Sequence, residues 1–219
     1  MTAIFMVAIT IATHAQEEPE YRMELGAGIG LINYVGDFNS SLVKGFQPWA
    51  SILAKYRLNP RMAVAMDIGT GKIKGSSDNV STWYPTERYE FNHSLTEADL
   101  RFEYNFWAYG TGEEYRGARR LTPFITAGLG ATFYGGDHSG VTVNLPIGVG
   151  IRYKLGQRLN LIAEWVFRLT PSDELDGRKD LYGIKSSGLF KNTDCYSVFQ
   201  LALTYDILMK CKTCHNDRY

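Results

Sequence analysis

Along "LTEADLRFEYNF" apolar and polar side chains alternate one for one. Thr96, Ala98, Leu100, Phe102, Tyr104 and Phe106 share one parity, and Glu97, Asp99, Arg101, Glu103 and Asn105 share the other. A period of two is the signature of a β-strand with two unlike faces. "MELGAGIGLI", "ITAGLGATFY" and "NLPIGVGIRYKL" repeat the alternation, with glycine and threonine often on the second face. Runs from Trp49 to Arg57, Met62 to Gly71, Leu159 to Thr170 and Tyr196 to Ile207 bring the count to about eight strands. The pattern predicts an all-β chain, an eight-stranded antiparallel up-and-down barrel.

The connections alternate in length. Asn59-Pro60 and Gly156-Gln157-Arg158 are tight, whereas Ser76 to Glu90 and Pro171 to Thr193 are long and polar. Outer-membrane barrels have short turns on the periplasmic side and longer loops outside. Trp107 to Arg120 is long for such a turn, and Gly135 to Gly140 is short for such a loop.

The choice between a soluble and a membrane barrel rests on what occupies the less apolar face. That face carries Glu24, Lys55, Asp67, Glu97, Asp99, Arg101, Glu103, Arg152, Lys154, Glu164 and Arg168 among glycines and threonines. A nearly balanced set of acids and bases suits a narrow closed lumen, where buried charges must find partners. Glycines weaken a strand, so a glycine-lined face suits a crowded axis better than a water-facing surface. The aromatic residues Tyr56, Phe102, Tyr104, Phe106, Phe133, Tyr153, Trp165, Phe167, Phe199 and Tyr205 fall on the apolar faces, many near strand ends, as girdles at a membrane interface do. These features predict a transmembrane β-barrel whose charged interior is filled by side chains, without a conducting pore.

Composition adds a compartment. "MTAIFMVAITIATHAQ" is an apolar run ending in a small-x-small site, read as a signal peptide over residues 1–15; the barrel then spans 16–207 and a cysteine-containing tail 208–219. The run is too short to cross a bilayer as a helix. With 23 basic and 23 acidic residues in a chain of 219, no electrostatic footprint for nucleic acid is present. Both termini of an eight-stranded barrel lie on one side, here expected in the periplasm.

Candidate chemistry is sparse. "GAGIG" (26–30) lacks the third glycine of a dinucleotide fingerprint, and "GTGK" (69–72) lacks the upstream glycine and the Ser/Thr of a P-loop. Both read as lumen-facing strand glycines. His93-Ser94 and Asp137-His138 are the residues on which a small-barrel enzyme, a lipid A or peptide hydrolase, would have to rest, and no nucleophile motif surrounds them. No catalytic residue, metal or cofactor is therefore assigned.

The tail "KCKTCHNDRY" holds the spacing of a c-type haem site, but offers no enclosing pocket or second axial ligand. Cys211, Cys214 and His215 fall short of the four ligands of a structural zinc. Cys195 opens the last strand, roughly 40 Å from Ile207 at about 3.3 Å per residue, so it cannot reach the tail within one molecule. A local Cys211–Cys214 disulfide and a mixed disulfide with a periplasmic partner remain, both permitted in that compartment.

At "INYVGDF", "LTPFITAGLGATFY" and "LPIGVGIRYKLGQRLNLIAEWVFRLTPSDELD" the chain resembles the outer-membrane β-barrel family of the type IX secretion system that contains PorG. The resemblance runs from about Tyr21 to Ile207 and is most specific from Pro146 to Asp173; where the family carries an aromatic next, this chain has Glu174. "LALTYDI" also resembles the β-signal read by the outer-membrane assembly machinery. The resemblance implies an outer-membrane barrel without a transported substrate of its own, embedded in outer-membrane lipid and docking a periplasmic ring of PorK and PorN type. A small-barrel enzyme or a purely structural outer-membrane protein is the alternative.

Overall fold

A computed structural model describes residues 21–35, 45–76, 90–110, 118–135, 139–170 and 195–209. They form β1 (Tyr21–Val35), β2 (Gln47–Asn59), β3 (Met62–Ser76), β4 (Glu90–Asn105), β5 (Leu121–Gly135), β6 (Gly140–Lys154), β7 (Leu159–Leu169) and β8 (Cys195–Met209). Each strand pairs antiparallel with its chain neighbours, and β1 pairs β8 from Tyr21–Met209 to Val35–Cys195, closing the barrel. Closure removes the unpaired edges that a sheet cannot expose to lipid. The strands are 11 to 16 residues long, enough for the roughly 9–11 needed to cross a bilayer at a tilt.

The alternation read from the sequence divides outside from inside. Ile29, Ile52, Leu100, Leu129, Val141 and Val149 are exposed on the outer wall, while the opposite parity is buried. Such a continuous apolar surface is far larger than a water-soluble monomer tolerates, and it matches a lipid-facing belt. Tyr104 and Phe106 meet edge to face at 6.1 Å near the turn end, and Trp165 and Phe167 lie 5.0 Å apart on β7.

Small residues on β5 make room for the charged stripe of β4. Glu97, Asp99, Arg101 and Glu103 stand opposite Thr132, Gly130, Gly128 and Thr126. A side chain at Gly130 would collide with the carboxylate of Asp99 and the amide of Asn144, and one at Gly69 with the Trp49 ring.

One departure from the alternation occurs where the barrel closes. Between the Met23–Ile207 and Tyr21–Met209 pairs, Leu208 adopts a left-handed conformation (φ 57°). The next β1 residues are inverted: Tyr21 is buried, with Lys154 Nζ 5.5 Å from its ring centroid, and Arg22 is exposed.

Candidate functional site

The barrel interior holds the chain's charged chemistry. All eleven residues singled out from the sequence are at most 2% exposed within it. Arg57 and Asp206 join them, giving seven acids and six bases. Alternation pointed to both, since Arg57 follows Lys55 and Asp206 follows Thr204 on the lumen parity. Both lie next to irregular backbone, at the register shift between Arg57 and Asn59 and at Leu208.

The network is layered along the axis. Nearest the turn end, Arg57 Nη2 bridges Glu24 and Asp206, each at 2.8 Å, and Lys154 Nζ meets the other Asp206 oxygen at 2.6 Å. Asn160 donates to Asp206 at 2.8 Å, and the Thr204 hydroxyl donates to Glu24. One layer further, Glu103 takes Lys55 on one oxygen at 2.7 Å and Arg152 on the other at 2.5 Å. At mid-barrel Arg101 Nη2 reaches Asp67 (2.9 Å) and Glu164 (3.0 Å), and Gln200 Nε2 donates to the same two carboxylates. The Gln200 carbonyl in turn accepts from Ser51 at 2.8 Å and Trp49 at 3.2 Å. Nearer the loop end Arg168 pairs with Glu97 and, at 3.3 Å, with Asp99, while the Tyr196 hydroxyl donates to Glu97 at 2.5 Å.

Strand pairing alone would set Asp67 directly opposite Asp99, two like charges on adjacent strands. A cation answers each: Arg101, two residues from Asp99 on the neighbouring strand, serves Asp67, and Arg168 from across the lumen serves Asp99. Charge-assisted bonds of this length are the strong kind, and in a buried lumen each ion depends on its partner.

Both ends are closed by side chains. At the loop end Ile32, Trp49, Ile73, Leu95, Tyr134, Tyr196 and Val198 form an apolar cluster. At the turn end the segment from Phe106 to Gly110 folds back, with the Tyr109 amide donating to Pro60 and Arg119 donating to the Ala108 carbonyl. This carries the Tyr109 ring inward, where the Arg57 and Arg152 guanidiniums lie 5.2 Å from its centroid, Lys154 lies at 5.5 Å, and its hydroxyl donates to Asn160 at 2.8 Å. Burial pushes the Tyr109 phenol above its ordinary range, so it stays a neutral donor. The connection that looked too long for a turn therefore supplies a stopper.

Of the residues considered for hydrolysis, the two described ones point to opposite faces. His93 is buried on the lumen side, whereas Ser94 is exposed and donates to the Gly135 carbonyl, because neighbours in a strand point to opposite faces. Asp137, His138, Cys211, Cys214 and His215 lie outside the described residues. Among the described residues no group of three His, Cys, Asp or Glu side chains could hold a metal. Cys195 stands at the loop end of β8, opposite Val35 and Leu169.

Solved structures share this architecture. Neisserial surface protein A (NspA) matches with a TM-score of 0.53 at 14% identity, covering 84% of this chain and 97% of that one. The outer membrane protein OprG from Pseudomonas aeruginosa matches with a TM-score of 0.51 at 8% identity, covering 88% and 99%. At such identity the likeness shows the fold, an eight-stranded barrel of the outer-membrane kind. Among curated proteins none matches the sequence. The family described as "Domain of unknown function (DUF6089)" matches residues 1–216.

Proposed function

The chain belongs to the DUF6089 family, and from that premise we propose that it is a non-enzymatic, non-conducting outer-membrane barrel of the type IX secretion system. Its role is to hold a periplasmic ring complex of PorK and PorN type at the membrane. The observation that carries the reading is the filled lumen: four layers of paired charges between an apolar cluster at one end and Tyr109 at the other. A barrel filled in this way has its rims left for work. The secretion role is supported by the resemblance at "INYVGDF" and from Pro146 to Asp173, and both termini then face the periplasm beside the short turns. The tail with Cys211 and Cys214 is the handle nearest such a partner.

The test is affinity isolation of the full-length barrel from membranes cross-linked in the native cell, with gels run with and without reductant. Recovery of ring proteins with the barrel, and cargo retained inside cells lacking it, supports the role. A barrel recovered alone, with secretion intact in its absence, leaves a structural outer-membrane protein. A high-mass band that collapses with thiol and is lost in the Cys211→Ser, Cys214→Ser variant makes the attachment covalent; a band indifferent to reductant makes it non-covalent.

A further inference from the structure

Among the described side chains, Arg22, Arg61, Arg119, Arg120 and Arg158 are exposed at the turn end, and Lys72 and Lys74 at the loop end. The five arginines do not form a one-sided patch. They come from the start of β1, the β2–β3 turn, the β4–β5 connection and the β6–β7 turn, so they are distributed around the rim.

Their depth is fixed by their neighbours. Arg61 lies three residues from Leu58, Arg120 next to Leu121, and Arg158 three from Leu155, and all three leucines are exposed on the lipid-facing wall. Three residues of chain span at most about 10 Å, which keeps the Cα of each of these three arginines close to the edge of the apolar belt. Aromatic groups hold two of the five in place. Arg119 stacks on the Trp107 ring at 4.7 Å, and Arg158 lies 5.6 Å from the Tyr21 centroid and donates to the Tyr205 hydroxyl at 3.4 Å.

We propose that these arginines form a collar that binds the phosphates of anionic phospholipids in the periplasmic leaflet. The assignment to that leaflet rests on the periplasmic placement of the turns given above. Guanidinium forks recognise phosphate oxygens in a bidentate manner, and the fixed stacking geometry leaves less to be ordered on binding. A lipid fits better than a protein partner because the charge encircles the rim at the level of the apolar belt, where lipid headgroups lie on every side. The stem of each arginine can follow the apolar surface while its head reaches the phosphate layer.

The test uses the full-length barrel in nanodiscs of equal phosphatidylglycerol and phosphatidylethanolamine, with the lipids it retains counted by native mass spectrometry. Each arginine near an anionic surface is worth roughly a fivefold factor in partitioning. The wild type is therefore expected to retain phosphatidylglycerol over phosphatidylethanolamine by at least about fivefold. The R119Q/R120Q/R158Q variant, which keeps Arg22 and Arg61, is expected to lose most of that preference, and K72Q/K74Q to keep the wild-type ratio. No preference in the wild type, or one that survives the triple substitution, overturns the proposal and leaves the collar to an acidic protein surface.

Orientation is read separately. Gln157→Cys, in a chain with its three native cysteines changed to serine, is exposed to a membrane-impermeant maleimide. Labelling only after the outer membrane is permeabilised supports the periplasmic assignment. Labelling of intact cells overturns that assignment, even where the lipid preference itself stands.

Discussion

Replacing Arg101 with methionine keeps a long side chain at mid-barrel and removes one charge. Its guanidinium lies 2.9 Å from Asp67 and 3.0 Å from Glu164, with all three side chains fully buried. At an effective dielectric near 20, each contact is worth about 6 kcal/mol before desolvation is subtracted. Removing one partner of a buried pair leaves an uncompensated ion, at a cost of about 3–5 kcal/mol. Here two carboxylates are stranded together, sharing the Gln200 amide as a donor. Urea titration of the barrel refolded in phospholipid vesicles, followed by tryptophan fluorescence, should show Arg101→Met less stable by about 3–5 kcal/mol. The R101M/D67N/E164Q variant, which removes all three charges, should regain at least half of that loss, since neutral isosteres often replace buried ion pairs without penalty. A loss below about 1 kcal/mol would place the group in the range of solvated pairs and refute a dry interior. A triple variant no more stable than the single one would assign the cost to packing rather than to charge.

The other expectations concern the stopper, the glycines and the lumen. Tyr109→Ala should destabilise the refolded barrel by about 3–5 kcal/mol, as other large aromatic truncations do, whereas Tyr109→Phe, which loses the bond to Asn160, should cost about 1 kcal/mol; equal effects from both would contradict a ring held among cations. Gly69→Ala pushes a methyl into the Trp49 ring and should cost about 1–3 kcal/mol, with a shift in tryptophan emission, and a neutral result would mean the lumen is looser than described. In planar bilayers the wild-type barrel should give no stable conductance steps; reproducible ohmic steps would show an open path.

Strand order and the division into two faces were legible because a period of two survives anywhere in a sequence where one face meets lipid and the other meets charge. The eleven interior charges could be selected by parity alone for the same reason. Partner assignment could not, because contacts such as Arg101–Glu164 and Lys55–Glu103 cross the lumen and depend on how the closed sheet is staggered. Arg57 and Asp206 had the right parity, but they lie where regular pairing ends. Two features carried no periodic signal. Tyr109 enters the lumen from a connecting segment, and Tyr21 turns inward where the alternation breaks across the closing seam, beside Leu208.

The central claim is that the exposed apolar wall, with Ile29, Leu129 and Val141 among its residues, faces lipid. Separation of cell fractions, alkaline carbonate extraction of the membranes, and gels of heated and unheated samples test it together. The account predicts a protein that stays with the outer membrane after extraction and runs faster unheated than heated, as a closed barrel does. Recovery in the soluble periplasm, with one mobility at all temperatures, would contradict it.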